Sequence, residues 1–200
     1  MEPMIETHMG ITFIFILALA WFFLRKFSVS PFEKILKLAS TGNAKAQYDL
    51  GYLYYTGKQV KQDFEQAFNW FDTSAKQGNV RAMVALAGLY NEGKGCEKSP
   101  EHAFYCYEQA AQKGDFEARI NLAVCYLQGT GTEKDETRGA QILKTAANEK
   151  SPLAQTLLAD LYERGVGVEK SEKEAMRYYV MAAKQGEPLA KKKLENFRKR

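Results

Sequence analysis

Ala46-Gln-Tyr-Asp-Leu50-Gly51-Tyr-Leu-Tyr54-Tyr-Thr-Gly57 decides the fold, because its pattern returns every 36 residues through the rest of the chain. Ala46, Ala82, Ala118, Ala154 and Ala190 fall in one column. Leu50, Leu86, Leu122, Leu158 and Leu194 form another, and Tyr54, Tyr90, Tyr126 and Tyr162 a third. Gly42, Gly78, Gly114 and Gly186 share a register in which Lys150 takes the fourth slot. A fixed period of this size marks stacked supersecondary units, a solenoid and not one closed globule. Solenoids mostly present surfaces, so the period points to binding.

Each unit reads as two helices. In the first, small or apolar residues at 46, 50, 53 and 54 follow the spacing of one helical face. Asn43, Asn79, Asp115 and Ser151 precede these helices as N-caps, and Gly57, Gly93, Gly129 and Gly165 close them. A second glycine follows at Gly95, Gly131 and Gly167, where the first unit has Gln59 instead. The second helix starts after Asp63, Ser99, Asp135 and Ser171. Pro100 stands at N1 of one copy, and Ser171 with Glu174 has the form of a capping box. Its inward face carries Ala67, Phe68, Phe71 and Ala75, then Ala103, Phe104, Tyr107 and Ala111. Gly51, Ala87, Ala123 and Ala159 let the paired helices approach.

These residues, Ala46-x-x-x-Leu50-Gly51-x-x-Tyr54-x-x-Gly57 with Asp63, Ala67, Trp70-Phe71 and Ala75, resemble the Sel-one-like repeat, a relative of the tetratricopeptide helix pair. The likeness covers repeats at 42–77, 78–113, 114–149 and 150–185, and a partial fifth at 186–200. It also covers the second helix of a half repeat, with Phe32, Ile35, Leu36 and Ala39. It implies an all-α, right-handed superhelix that serves as a scaffold or adaptor in protein complexes.

Ahead of the repeats, Ile11 to Leu24 holds no charge and only Thr12 as a polar side chain. Taken from Met9, the helix is roughly 24 Å long, short of the ~30 Å hydrocarbon core but able to span with Arg25 and Lys26 snorkelling. A solenoid offers no pocket that would enclose such a helix. Ala18-Leu19-Ala20 has the form of a signal-peptide cleavage site, yet no Lys or Arg precedes the apolar run, so an uncleaved anchor is expected. The division of the chain is then a tail at 1–8, a transmembrane helix at 9–27, a linker and half-repeat helix at 28–41, the four repeats at 42–185, and a basic capping helix at 186–200. Glu2 and Glu6 lead the span while Arg25, Lys26, Lys34 and Lys37 trail it, which places the repeats in the cytoplasm of a single-pass inner-membrane protein. The periplasmic side is the alternative. Cys96, Cys106 and Cys125 occupy unrelated columns, unlike a disulfide ladder. Cys106 and Cys125 replace core residues, and Cys96, in a loop, is the one reactive candidate.

The net charge is +4, and its basic excess gathers at Lys191-Lys192-Lys193 and Arg198-Lys199-Arg200. This is read first as a solvated helix closing the stack, with contact to anionic lipid or an acidic partner as the alternative. Nucleic acid is disfavoured, because the tyrosines follow repeat-core spacing. Two histidines, His8 and His102, and no HExxH or paired-Cys spacing give no catalytic or metal constellation, so neither enzyme activity nor a cofactor is expected. The Gly-x-Gly pairs follow helices, not strands, and read as turns.

The resemblance implies that first helices line the concave face. The residues expected there to touch a partner are Lys45, Tyr48, Tyr52 and Tyr55, then Arg81, Asn91 and Glu92, then Glu117 and Gln128, and last Asp160, Glu163 and Arg164. Val84, Ile120, Val124 and Thr156 are expected beside them. Tyr48 and Tyr52 read equally well as packing between repeats. The expected ligand is a protein or peptide, not a small substrate. The chain is therefore expected to be a membrane-anchored scaffold. A specific inhibitor or immunity-type partner of one enzyme or toxin is the alternative, and an envelope enzyme the weakest reading.

Overall fold

The computed structural model describes residues 30–198. Among them are ten helices and no strand. They are α1 (Pro31–Ser40), α2 (Ala44–Thr56), α3 (Phe64–Lys76), α4 (Val80–Glu92), α5 (Pro100–Gln112), α6 (Phe116–Gln128), α7 (Glu136–Asn148), α8 (Pro152–Arg164), α9 (Glu172–Lys184) and α10 (Pro188–Arg198). Each helix packs on its sequence neighbours, so the described residues form a linear stack of hairpins with no closed core among them. Among the described residues no helix is long and apolar enough to cross a membrane. The expected anchor at 9–27 lies outside the described residues.

The caps are those the sequence specifies. Asn43, Asn79, Asp115 and Ser151 accept from the amides of Ala46, Ala82, Ala118 and Ala154. Asp63, Ser99, Asp135 and Ser171 do the same for the second helices. The backbone amides of those four caps also donate to the carbonyls of Tyr54, Tyr90, Tyr126 and Tyr162, which ties each hairpin shut. Two cap details differ from expectation. Glu174 does not close a box on Ser171, because its carboxylate pairs with Arg177 at 2.9 Å. Among the described residues the complete capping box joins Ser30, read from sequence as linker, to Glu33 of the half-repeat helix.

Stacking explains the second glycine column. A Cβ on Gly95, Gly131 or Gly167 would lie 2.0–2.1 Å from the carbonyl oxygen of Phe64, Pro100 or Glu136, so each loop rests directly on the start of the preceding second helix. Positive φ at all three makes the demand twofold. Gln59 takes the same left-handed conformation, as does Lys150 in its own glycine column.

The Leu column is buried from Leu50 to Leu158 and half-buried at Leu194, and four clusters of buried residues follow one another along the stack. At two junctions a buried glutamine joins consecutive units. Gln47, buried, donates to the carbonyl of Ala39 and accepts from Gln77. Gln155 repeats this with Ala147 and Gln185. At the same columns of the third unit an ion pair substitutes for the amides, with Arg119 gripping Glu149 through both nitrogens at 2.7 and 2.5 Å. At the N-terminal end Ala39 is buried with Phe32 and Ile35 against it, but Leu36, expected in the packing face, is exposed.

Candidate partner-binding surface

Alternate helices line the inner wall, and its two halves differ. Toward the N-terminal end, Tyr48, Tyr52 and Tyr55 of α2 face Arg81 and Val84 of α4 and Glu117 of α6 across a cleft of about 490 Å³. Phe71 and Tyr107, from second helices, form its floor. The Tyr48 ring lies 5.6 Å from Phe71 between centroids, so it both packs between elements and lines the cleft. Burial pushes the Tyr48 hydroxyl above its ordinary pKa against the opposing pull of Arg81, which keeps it a neutral donor. Tyr52 is 44% exposed, with its ring toward the opening.

What holds this half open are residues the sequence reading did not single out. Ala85 and Gly88 of α4 face the tyrosines, and Asn121 of α6 stands beside them. A Cβ built on Gly88 meets nothing within 4 Å. Glycine inside a helix costs about 1 kcal/mol relative to alanine, and here no packing contact requires it. Its effect is room. The signal was available: Gly88 is the 36-residue counterpart of Tyr52.

Further along, the wall closes. Ile120 and Thr156, expected to face inward, are buried. Ile120 packs in a cluster that includes Leu157, a large residue where the open half has Ala85. The Thr156 hydroxyl donates to the carbonyl of Pro152 within its own helix. Asp160 and Glu163 are taken up by α10, whose Lys193 reaches them at 2.8 and 3.3 Å. Arg164 pairs with Asp160 at 3.2 Å, and the Tyr179 hydroxyl donates to Glu163 at 3.0 Å. Burial pushes the Asp160 carboxyl up, but hydrogen bonds from Lys193 and Arg164 outweigh it and hold the pKa below the usual carboxylate value. Lys193 is raised above the usual lysine value, chiefly by its bond to Asp160.

The remaining expected contacts are scattered. Asn91 and Gln128 line a smaller groove of about 330 Å³ with Tyr107 and Val124. Glu92 is exposed and pairs with Lys94 at 2.5 Å, and Lys45, in the first turn of α2, is exposed and does not line the main cleft. Cys96, the reactive candidate, is half-buried against the second cluster and burial raises its pKa, which removes thiolate character. Cys106 is raised to about 11 for the same reason. His102 is exposed at the start of α5, bonded to Ser99 and stacked on Tyr90.

The Sel1 repeat pattern matches residues 44–79, 80–115, 116–151 and 152–187, four consecutive units covering most of the chain. This chain belongs to the Sel1 repeat family. Among curated proteins it is similar to the secretory immunoglobulin A-binding protein EsiB of Escherichia coli O6:H1, with 44% identity over 39 residues, which is 20% of this chain and 8% of that one. It is also similar to the sel1-like repeat-containing protein L18 of Acanthamoeba polyphaga mimivirus, at 40% identity over 22% of this chain and 8% of that one. Among solved structures, c5321, a protective antigen present in uropathogenic Escherichia coli strains, superposes with a TM-score of 0.76 at 33% identity over 81% of this Sel1 repeat chain and 35% of the antigen. A Sel1 repeat protein of Oxalobacter formigenes gives 0.71 at 33% identity, over 75% of this chain and 62% of that one. The matched stretch is thus a small part of the curated relatives and about a third of the antigen.

Proposed function

We propose that this Sel1 repeat chain is a protein-binding scaffold without chemistry of its own, tethered to the inner membrane through Ile11–Leu24 with its repeats in the cytoplasm. The observation that carries the reading is the open half of the inner wall. Three tyrosines and an arginine, the residue types that anchor binding hot spots, meet around space left by Gly88. The cleft runs across several helices, which suits an extended or helical polypeptide segment more than a compact metabolite. The name of the Escherichia coli relative describes the binding of a protein, which supports the same class of ligand. The membrane tether would raise the local concentration of the bound partner beside membrane machinery.

The test is selection of a displayed peptide library on the full chain, followed by binding to Gly88→Trp. Tryptophan fills the cleft from a position with free space, so folding is expected to survive while selected peptides lose more than about tenfold in affinity. Peptides that bind both proteins equally, or a selection that yields none, would remove the cleft as the site. For the tether, carbonate-resistant membrane association is expected of the full chain. Release to the supernatant, or digestion of the repeats from outside in spheroplasts, would overturn the anchor or the sidedness respectively.

A further inference from the structure

On the last repeat, the outer stripe of α9 is apolar where its counterparts are polar. Val180 corresponds to Lys144, Glu108 and Asp72, and Met181 to Thr145, Gln109 and Thr73. All six counterparts are half-buried or exposed, so the repeat itself does not call for an apolar side chain at either column. Met176 differs in another way. Phe68 and Phe104 of its column meet Tyr90 and Tyr126 edge-on, and Ala140 is 2% exposed, whereas Met176 is 42% exposed. Met181 is 38% exposed. Phe197 of α10 is half-buried where Leu89, Cys125 and Leu161 of its column are buried. Together these side chains line a groove of about 530 Å³ between α9 and α10.

The stack and its charge fix what fits there. First helices α4, α6 and α8 each have a second helix packed on both sides, whereas among the described residues α9 is the one second helix packed on α10. A helix is therefore the shape this side accepts. It is not simply one more repeat, because the three units that are followed by another keep polar residues at the Val180 and Met181 columns. Charge narrows the occupant further. Lys173 and Lys184 stand along the groove against Glu172, and Arg177 between them is paired with Glu174 at 2.9 Å.

We propose that this groove receives an amphipathic α-helix from a different polypeptide, with apolar residues at i, i+3/i+4 spacing and Asp or Glu beside them. Methionine suits the task, since its flexible, polarizable chain adapts to the partner's knobs. The surface is independent of the inner cleft and lies at the opposite end of the molecule from the predicted tether, so the scaffold would hold two polypeptides at once.

The experiment places a photo-crosslinking amino acid at position 181 of the full chain in the cells that produce it, and maps the captured segment by mass spectrometry. The expected capture is one segment of another protein that is helical in pattern and net acidic. The yield should fall about tenfold with Lys173→Glu plus Lys184→Glu and recover on charge reversal in the mapped segment, while Tyr52→Ala leaves it unchanged. Met176→Gln, which preserves length, should also lower the yield, and circular dichroism would confirm that each variant is folded. Capture of lipid, of a second copy of this chain, of a basic or extended segment, or of nothing above background would overturn the proposal.

Discussion

The two halves of the inner wall are built from the same helix columns and behave oppositely. In the first half, Tyr48 and Tyr52 look across at Ala85 and Gly88, and a cleft remains. In the second, Ile120 meets Leu157, and Asp160 and Glu163 meet Lys193, and the wall is sealed. Openness is therefore set one repeat away from the residues it exposes, by the size and charge of the next helix's side chains.

Both halves depend on the seam between units, and disrupting it should have the largest effect. Gly131→Ala drives a Cβ to within 2.1 Å of the Pro100 carbonyl oxygen while φ stays at +71°. Overpacking with backbone strain predicts a loss of about 3–5 kcal/mol in urea unfolding. A loss below about 1 kcal/mol would mean the loop can lift away. Next in size, Leu158→Ala empties a fully buried site of the closed half and should cost about 2–5 kcal/mol, read the same way.

Converting one half into the other gives smaller effects. Gly88→Leu should leave stability unchanged or raise it by about 0.5–1 kcal/mol, because a helix-interior glycine is replaced and nothing lies in the way. Thermal melting checks this, and a lowered melting temperature would show hidden contacts. Lys193→Met should release Asp160 and Glu163 at a cost of about 1 kcal/mol, seen as faster hydrogen exchange in α10 alone.

The smallest effect is that of pH on the seal. Asp160, with a lowered pKa, stabilises the folded state above the usual carboxylate value and ceases to do so as pH falls through its own. Lys193, with a raised pKa, contributes below the usual lysine value and stops as pH climbs through its own. Protection of α10, corrected for intrinsic exchange, should thus be level from about pH 5 to 10 and drop below about pH 4. In Lys193→Met the acid drop should shrink. An unchanged drop would assign it to other carboxylates.

The fold was legible because its determinants are local and repeated. Caps such as Asn79 and Asp135, the closing glycines and the Leu50 column each report on a few neighbouring residues, and four copies reinforce one another. The site was legible only in part. Tyr48, Tyr52, Tyr55, Arg81 and Glu117 do come together, because each is set by its position in one helix. Gly88 carries no side chain to attract notice, and the closure of Asp160 and Glu163 depends on Lys193, about 30 residues downstream in a helix read as a solvated cap. Single-helix facing does not reveal what the next repeat lays over it.

Hydrogen exchange of the full chain with and without a selected peptide tests the central claim most directly. Protection confined to residues 48–55, 81–88 and 117–121 is the predicted result. Protection centred on 153–164, or spread evenly along the stack, would contradict an account in which the open half of the inner wall is where a partner binds.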